Sequence, residues 1–147
     1  MTCEKKINSD ELKSLQLEIA KNIKNVCEEN NIEYFMVGGT LLGAVRHKGF
    51  IPWDDDIDLG MTTENFEKFL EVAPKCLDNR FFLQTSATDS FYFNSFAKVR
   101  LNNTHMQEKV TRETKMHDGI FVDIFSYDVA DEKKANSKKI FNRTKID

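Results

Sequence analysis

The stretch from residue 37 to residue 60 constrains this chain most, because a glycine pair is followed there by four aspartates within five positions: Gly38 and Gly39, then Asp54, Asp55, Asp56 and Asp58. Negative charge at this density repels itself, so a folded domain tolerates it where a cation compensates the repulsion. Glycines at a turn let backbone N–H groups approach a phosphate. Together the two features predict a phosphate cradle beside a divalent-metal site, and hence chemistry on a nucleotide.

Residues 56–60 alternate polar and apolar side chains, which predicts a β-strand. Such a strand places Asp56 and Asp58 on one face, and Ile57 and Leu59 on the opposite, buried face. Two carboxylates so arranged can bridge one or two Mg²⁺ ions, with phosphate oxygens completing the coordination. The two preceding aspartates would orient the ligands or bind water. A solvated acidic loop is the alternative, and the need to bury the apolar face favours the metal site.

The glycine pair separates two predicted elements. Residues 32–37 are apolar and rich in β-formers, which predicts a buried strand, and residues 40–46 have the composition of a helix. Gly38, Gly39 and Thr40 would therefore present backbone N–H groups at the positive end of a helix dipole. A glycine pair alone is usually only a tight turn. Its proximity to the aspartate strand makes these three residues candidate phosphate ligands.

A third carboxylate stands inside a later apolar segment, residues 119–125. Asp123 is costly to bury in such a strand unless it meets a charge partner or a metal. In that position it would ligate the metal or take the proton of an incoming hydroxyl. The alternative, of equal weight on the residues alone, is an aspartate on an edge strand that faces water.

Cations near the predicted site would stabilise charge on a transferring phosphoryl group. Arg46 belongs to the helix that the glycines open, and Lys98 and Arg100 share a strand face by alternation, so the latter two would reach a diphosphate together. For each cation singly, a solvated surface charge is the alternative. Trp53 would stack on a base or a choline-like cation, or pack the loop that presents the aspartates.

The rest of the chain predicts further helices and strands. A helix starts at Ser9 and ends at Asn30, and a second helix starts at Thr62 or Thr63 and stops at Pro74. The remaining segments are predicted as two antiparallel strands over residues 81–85 and 91–101, a loop over 104–116, a strand over 120–125 and a helix from residue 131.

Composition favours some classes of protein over others. The 147 residues suggest one domain, and 21 basic against 24 acidic residues weigh against a duplex nucleic-acid binder. Three dispersed cysteines fit reduced thiols in the cytoplasm better than disulfides or a zinc site. No signal peptide or membrane-spanning run is evident. The last residues read like the interior of a domain, so we expect a truncated chain.

Residues 38–58 closely resemble the signature of the LicD family, the phosphorylcholine transferases of the nucleotidyltransferase superfamily, to which fukutin-type proteins are distantly related. Residues 97–100 with Thr104, and residues 119–125, resemble later blocks of that family in the expected order. The resemblance covers roughly residues 32–128.

This resemblance implies an α+β fold of the DNA-polymerase-β-like nucleotidyltransferase type, a mixed sheet flanked by helices. It implies a single LicD-like domain over residues 1–147 that is incomplete at its C-terminus. By motif matching, the resemblance assigns the role of metal ligands and catalytic carboxylates to Asp56, Asp58 and Asp123. It assigns the contacts to the nucleotide phosphates to Gly38, Gly39 and Thr40. This chain departs from the family at Phe125-Ser126, where members often have Phe-Pro, and members usually continue well beyond residue 147.

The activity that the resemblance implies is Mg²⁺-dependent transfer of a phosphoalcohol, typically phosphocholine from CDP-choline, with Mn²⁺ as an alternative ion. The acceptor would be a hydroxyl of a cell-surface glycan or of its lipid-linked precursor, met in the cytoplasm at the inner face of the membrane. Two alternatives stay open. One is a nucleotidyltransferase that attaches a nucleoside monophosphate to a protein or small molecule, and the other is a non-catalytic nucleotide-binding fragment.

Overall fold

A five-stranded mixed sheet organises the fold in the computed structural model, which describes residues 4–108 and 113–128. Within those residues the strand order is β1-β2-β5-β4-β3. The elements, in chain order, are α1 (Ser9–Glu29), β1 (Phe35–Met36), α2 (Gly38–Arg46), β2 (Asp58–Thr62), α3 (Thr63–Cys76), β3 (Phe81–Gln84), β4 (Ala97–Leu101) and β5 (Phe121–Tyr127). The predicted α+β architecture, a mixed sheet flanked by helices, is confirmed. The helix predicted from residue 131 lies outside the described residues.

Strand β5 lies at the centre of the sheet, and its two neighbours run in different directions. It pairs in parallel with β2, where Asp58 lies opposite Asp123, and antiparallel with β4, where Lys98 lies opposite Asp123. Strands β3 and β4 pair antiparallel, as predicted. Asp123 therefore stands on an interior strand, so the alternative of an edge-strand aspartate facing water is wrong.

Helices α1 and α3 contact each other and the sheet, and their apolar stripes close the core. Ile19, Ile23 and Val26 of α1 are buried, at the spacings that predicted a helix. The cap of α1 is Asn8 rather than Ser9, because the Asn8 side chain accepts the N–H of Glu11 at 2.9 Å. None of the helices in residues 4–108 and 113–128 has the length and apolar character needed to cross a membrane.

The buried strand predicted over residues 32–37 is present only as a two-residue strand, and that strand is exposed rather than buried. Only Phe35–Met36 pairs with the sheet, as an exposed edge strand beside β2. Ile32 is buried, but its N–H donates to the Cys27 carbonyl at 2.9 Å, so it closes the end of α1. The N–H of Glu33 donates to the Asn65 side chain, which keeps this segment away from strand pairing.

Two other predicted strands begin later than expected. β2 begins at Asp58 because Asp56 and Ile57 complete a loop, although Ile57 and Leu59 are buried as predicted. The strand predicted over residues 91–101 begins at Ala97, because residues 91–96 form a turn that the Tyr92 hydroxyl closes onto the Phe96 carbonyl.

Pro74 does not stop the second helix. It lies inside α3, which continues to Cys76. Proline removes one backbone donor, and in the final turn of a helix that costs a single hydrogen bond. The N–H of Leu77 still closes the helix onto the Ala73 carbonyl at 2.9 Å.

Candidate active site

Three carboxylates meet where β2 and β5 run side by side. The parallel register places Asp58 beside Asp123, and Asp56 reaches the same point from the loop before β2. One carboxylate oxygen from each of the three lies within 4.8 Å of the other two. Asp123 is 7% exposed, and Asp56 and Asp58 are half-buried. The alternation in the sequence predicted that Asp56 and Asp58 lie together, and the pairing of β2 with β5 adds Asp123 to them.

The glycine turn is bonded directly to the strand that carries Asp58. The N–H of Val37 donates to the Asp58 carbonyl at 3.2 Å, and the Asp58 N–H donates to the Thr40 hydroxyl at 2.7 Å. Gly38 has a φ of +55°, a conformation that side chains rarely adopt, and a Cβ there would lie 3.2 Å from the Asp58 carboxylate. The turn is thus bonded to the strand that carries Asp58 and packs against its carboxylate.

Gly39 allows a second close approach. A Cβ at this residue would lie 2.4 Å from Oδ2 of Asp54, closer than real Cβ contacts come. Helix α2 begins at this turn, and Val37 supplies no side-chain cap to its first N–H groups. These N–H groups have no partner within the helix and carry the positive end of its dipole. The arrangement can hold an anion next to the carboxylates.

Burial and mutual repulsion make the carboxylates hard to ionise together. Desolvation, a hydrogen bond with Asp54 and the charge of Asp58 raise the pKa of Asp56 to about 7. Desolvation and the neighbouring Asp123 raise the pKa of Asp58 to about 6. Burial also raises the pKa of Asp123, against the opposing effect of Lys98. A divalent cation would relieve this repulsion, and carboxylate oxygens are the ligands that Mg²⁺ and Mn²⁺ prefer, so the three residues fit such an ion.

Lys98 lies against Asp123. Its Nζ donates to Oδ1 of Asp123 at 2.7 Å, lies 3.6 Å from Glu108, and sits 3.5 Å from the centre of the Phe121 ring. The residue is only 2% exposed. The structure therefore brings the predicted cation Lys98 to the carboxylates, where it compensates part of their charge.

Arg100 is placed differently. It is 1% exposed, and it donates to the Gln84 side chain and to the Gly119 carbonyl, each at 2.6 Å. A guanidinium so enclosed offers no surface to a diphosphate. The expectation that Lys98 and Arg100 reach a diphosphate together therefore finds no support in these contacts. Arg100 instead ties β4 to β3 and to the segment just before β5.

Arg46 is exposed and lies at the far end of α2, about 12 Å along the helix axis from Gly38. Its Nε donates to His47 at 3.2 Å. The contacts of the described residues thus do not bring Arg46 to the carboxylates. Trp53 is 77% exposed and meets His47 edge-on at 5.9 Å, so it does not pack the aspartate loop.

Two residues of α1 that sequence reasoning missed hold this loop in place. Gln16 is fully buried and its side chain donates to the Asp55 carbonyl at 2.7 Å. The Nζ of Lys13 donates to the Pro52 carbonyl at 2.9 Å. A signal was present, because Gln16 is a polar residue on the apolar stripe of α1, three residues before Ile19.

A sequence model of the LicD/FKTN/FKRP nucleotidyltransferase domain matches residues 31–146 of this chain. The chain belongs to the LicD family. The match takes in the glycine turn and the three carboxylates, but not helix α1, whose side chains hold the aspartate loop of this LicD-family domain.

Relatives support the assignment to the LicD family. The chain is 37% identical over 126 residues to the lipopolysaccharide cholinephosphotransferase LicD of Haemophilus influenzae, an alignment that covers 84% of this chain and 46% of that protein. It is 35% identical over 80 residues to the ribitol 5-phosphate transferase FKRP of Homo sapiens and of Mus musculus, over 52% of this chain and 16% of those proteins. The chain thus spans about half the length of its LicD relative.

Proposed function

We propose that this chain catalyses transfer of a phosphoalcohol to a hydroxyl of a cell-surface glycan or of its lipid-linked precursor. The proposed donor is a CDP-alcohol, in the first place CDP-choline. The observation that carries the proposal is the convergence of Asp56, Asp58 and Asp123 beside a helix N-terminus that a glycine turn opens. This combination supports a proposed cation site and a proposed phosphate site next to each other.

Each group in the proposed site has its own task. The N–H groups of Gly38, Gly39 and Thr40 bind the donor diphosphate at the start of α2. The three aspartates would hold Mg²⁺, or Mn²⁺ in its place, and such an ion would supply charge neutralisation at the phosphate.

Asp123 would take the proton from the acceptor hydroxyl, since it is a buried carboxylate that lies beside Asp56 and Asp58 at the proposed site of transfer. The hydroxyl oxygen then bonds to phosphorus as the bond to the leaving CMP breaks. Lys98 keeps the Asp123 carboxylate in place through the 2.7 Å hydrogen bond.

The activities for which the relatives are named support this class of reaction. One relative is named a cholinephosphotransferase and another a ribitol 5-phosphate transferase, and both names describe transfer of a phosphorylated alcohol. An acceptor linked to lipid would bring the chain to the inner face of the membrane as a peripheral protein. No nucleic acid takes part in this proposal, in line with the net charge of −3.

The test is transfer from CDP-choline labelled either in the choline or in the cytidine, with Mg²⁺ and a panel of glycan acceptors. We expect the choline label to reach the acceptor, and we expect Asp58→Asn to lower the rate by at least about a hundred-fold. Asp10→Asn, a matched change in the exposed first turn of α1, should leave the rate unchanged.

Other outcomes would point to the alternatives. Transfer of the cytidine label would identify a nucleotidyltransferase. Binding of Mg²⁺ and CDP-choline by calorimetry without any transfer would identify a nucleotide-binding fragment. Full activity of the Asp58→Asn protein would refute the proposed site.

A further inference from the structure

Helix α2 packs against the rest of the molecule through its smallest residues. Gly43 is its buried residue, and a Cβ there would lie 2.5 Å from the Gly49 carbonyl oxygen, so the helix lies close to the turn that follows it. The large apolar side chains of α2 lie on its solvent side: Leu41, Leu42 and Val45 are 48%, 46% and 65% exposed. Their spacing confines them to about one third of the helix circumference, so they form one apolar stripe. Helices normally bury such a stripe, so this one indicates a contact with another surface.

The chain around this stripe is basic. Residues 34–53 contain no acidic residue, although the whole chain has 24 acidic residues among 147 and a net charge of −3. Arg46, His47 and Lys48 follow the stripe directly, and all three are exposed. The next acidic residues belong to the aspartate loop, which lies at the N-terminal end of α2, where Asp54 approaches Gly39. The C-terminal end of α2 therefore combines apolar side chains with positive charge.

Trp53 extends the same end of the helix. It is 77% exposed, more than any other large apolar side chain of the described residues. Its ring meets His47 edge-on at 5.9 Å, and His47 is the C-cap of α2. Tryptophan has an apolar body and a polar N–H, and it is enriched where lipid meets water.

We propose that this end of the molecule docks on an anionic lipid surface. The α2 surface, as we name it, consists of the apolar stripe, two basic residues and the indole: Leu41, Leu42, Val45, Arg46, Lys48 and Trp53. The apolar side chains enter the boundary between head groups and acyl chains, and the basic side chains lie against the lipid phosphates. A second copy of the chain fits less well, because it would bring two basic surfaces together.

The inference goes beyond the proposed function, because it names a docking surface and the lipid charge that this surface selects. Leu41 follows Gly39 by two residues, so a docked membrane would lie next to the proposed phosphate site. The docking itself does not depend on which reaction the site catalyses.

Tryptophan fluorescence of the full chain tests the docking, because Trp53 is its single tryptophan. With vesicles of phosphatidylcholine and phosphatidylglycerol in equal parts, we expect a blue shift of the emission and quenching by lipids brominated in their acyl chains. The chain should also sediment with these vesicles. Pure phosphatidylcholine vesicles should bind at least about ten-fold more weakly, since each basic residue contributes about five-fold at an anionic surface.

Two substitutions separate the apolar contribution from the basic one. Val45→Asp puts a charge into the stripe and should weaken binding to the anionic vesicles at least about ten-fold, without lowering the melting temperature, because Val45 is exposed. Phe93→Asp is the matched control, since Phe93 is an exposed apolar residue between β3 and β4, and it should leave binding unchanged.

The double change Arg46→Gln and Lys48→Gln should remove most of the preference for anionic lipid. Its control is the same double change at two exposed lysines of α3, Lys68 and Lys75, which should keep that preference.

Several results would overturn the proposal. Equal binding to the two kinds of vesicle, no binding, or binding that Val45→Asp leaves intact would each do so. A Trp53 emission that is blue-shifted and shielded from acrylamide without vesicles would show that the chain itself covers the α2 surface. Dimerisation that Val45→Asp abolishes, without vesicle binding, would identify a second copy as the occupant. None of these measurements needs a donor, an acceptor or Mg²⁺, so failure of the docking surface is distinguishable from failure of the proposed transfer.

Discussion

At the residue scale, two pairs of atoms explain why this segment needs glycine. The Asp58 carboxylate approaches Gly38, and the Asp54 carboxylate approaches Gly39, at distances that leave no room for a methyl group at Gly39. The glycines therefore do more than turn the chain, since they let two acidic side chains lie against the start of a helix. That contact brings negative charge close to the N–H groups at the start of α2, which carry the positive end of the helix dipole and attract anions.

Gly39→Ala should destabilise the fold by about 1–3 kcal/mol, because the new methyl group would displace the Asp54 side chain. Gly49→Ala is the matched control, since a Cβ at Gly49 meets no atom within 4 Å. Urea unfolding measures both. Equal stabilities of the two variants would contradict the close packing at Gly39.

The carboxylates also predict how stability depends on pH. Because the folded-state pKa values of Asp56 and Asp58 are raised from 3.8 to about 7 and about 6, the folded state binds more protons than the unfolded state in this window. In metal-free buffer, their contribution to stability therefore falls as the pH rises from about 4 to about 7. Mg²⁺ should raise the melting temperature at pH 7.5 and have little effect at pH 5, where protons occupy the carboxylates.

The Asp58→Asn protein separates this cluster from the other titrating groups. It removes one of the interacting charges, so its stability should change less between pH 5 and pH 7.5, and Mg²⁺ should stabilise it less. A pH profile identical to that of the unaltered chain would show that the carboxylates do not interact as described.

At the element scale, the central strand β5 collects groups from both of its neighbours. From β2 it receives Asp58, and from β4 it receives Lys98, each opposite Asp123. Two positions further along β4, Arg100 lies opposite Phe121 and bonds to Gln84 of β3. Lys98 and Arg100 thus lie on the same face of β4, where Lys98 contacts the carboxylates and Arg100 stabilises the sheet.

Arg100→Met should cost about 2–5 kcal/mol in stability, because it leaves the buried Gln84 and Gly119 oxygens without their donor. Arg46→Met should change stability by less than about 0.5 kcal/mol, since Arg46 is exposed. Thermal unfolding of the pair tests the structural role of Arg100. A stable Arg100→Met protein with impaired nucleotide binding would restore the phosphate-binding interpretation.

At the scale of the whole molecule, the site depends on segments distant in sequence. Helix α1 holds the aspartate loop through Gln16, and the loop in turn packs against the glycine turn. The matched sequence region begins at residue 31, after α1 has ended. The packing of the site therefore extends beyond the stretch that the family model matches.

Gln16→Leu should weaken Mg²⁺ binding several-fold and lower stability by about 1–3 kcal/mol, because the buried Asp55 carbonyl loses its donor. Asn25→Leu makes a similar change at an exposed position of α1 and should alter neither property. Calorimetric titration with Mg²⁺ measures the first effect. Unchanged Mg²⁺ affinity in the Gln16→Leu protein would show that α1 does not position the loop.

How far the sequence could predict this molecule depends on the range of the interactions involved. The glycine turn and the burial of Ile57 and Leu59 follow from local pattern, and the structure agrees. The placement of Arg100 does not follow from local pattern. Alternation predicts which side chains share a face of a strand, but it does not predict what covers that face. The shortness of β1 could not be predicted either, since the residues before it donate hydrogen bonds to the end of α1 and to the Asn65 side chain.

The anchoring of the aspartate loop by Gln16 has a practical consequence for anyone who divides this protein at the boundary of the family-model match. A fragment that starts at residue 31 would keep the glycine turn and the three carboxylates, but it would lose the hydrogen bond from Gln16 that holds the acidic loop. Such a fragment would carry all the reactive groups without the support that sets their spacing. The start of the family-model match and the start of the working unit are different places in this chain.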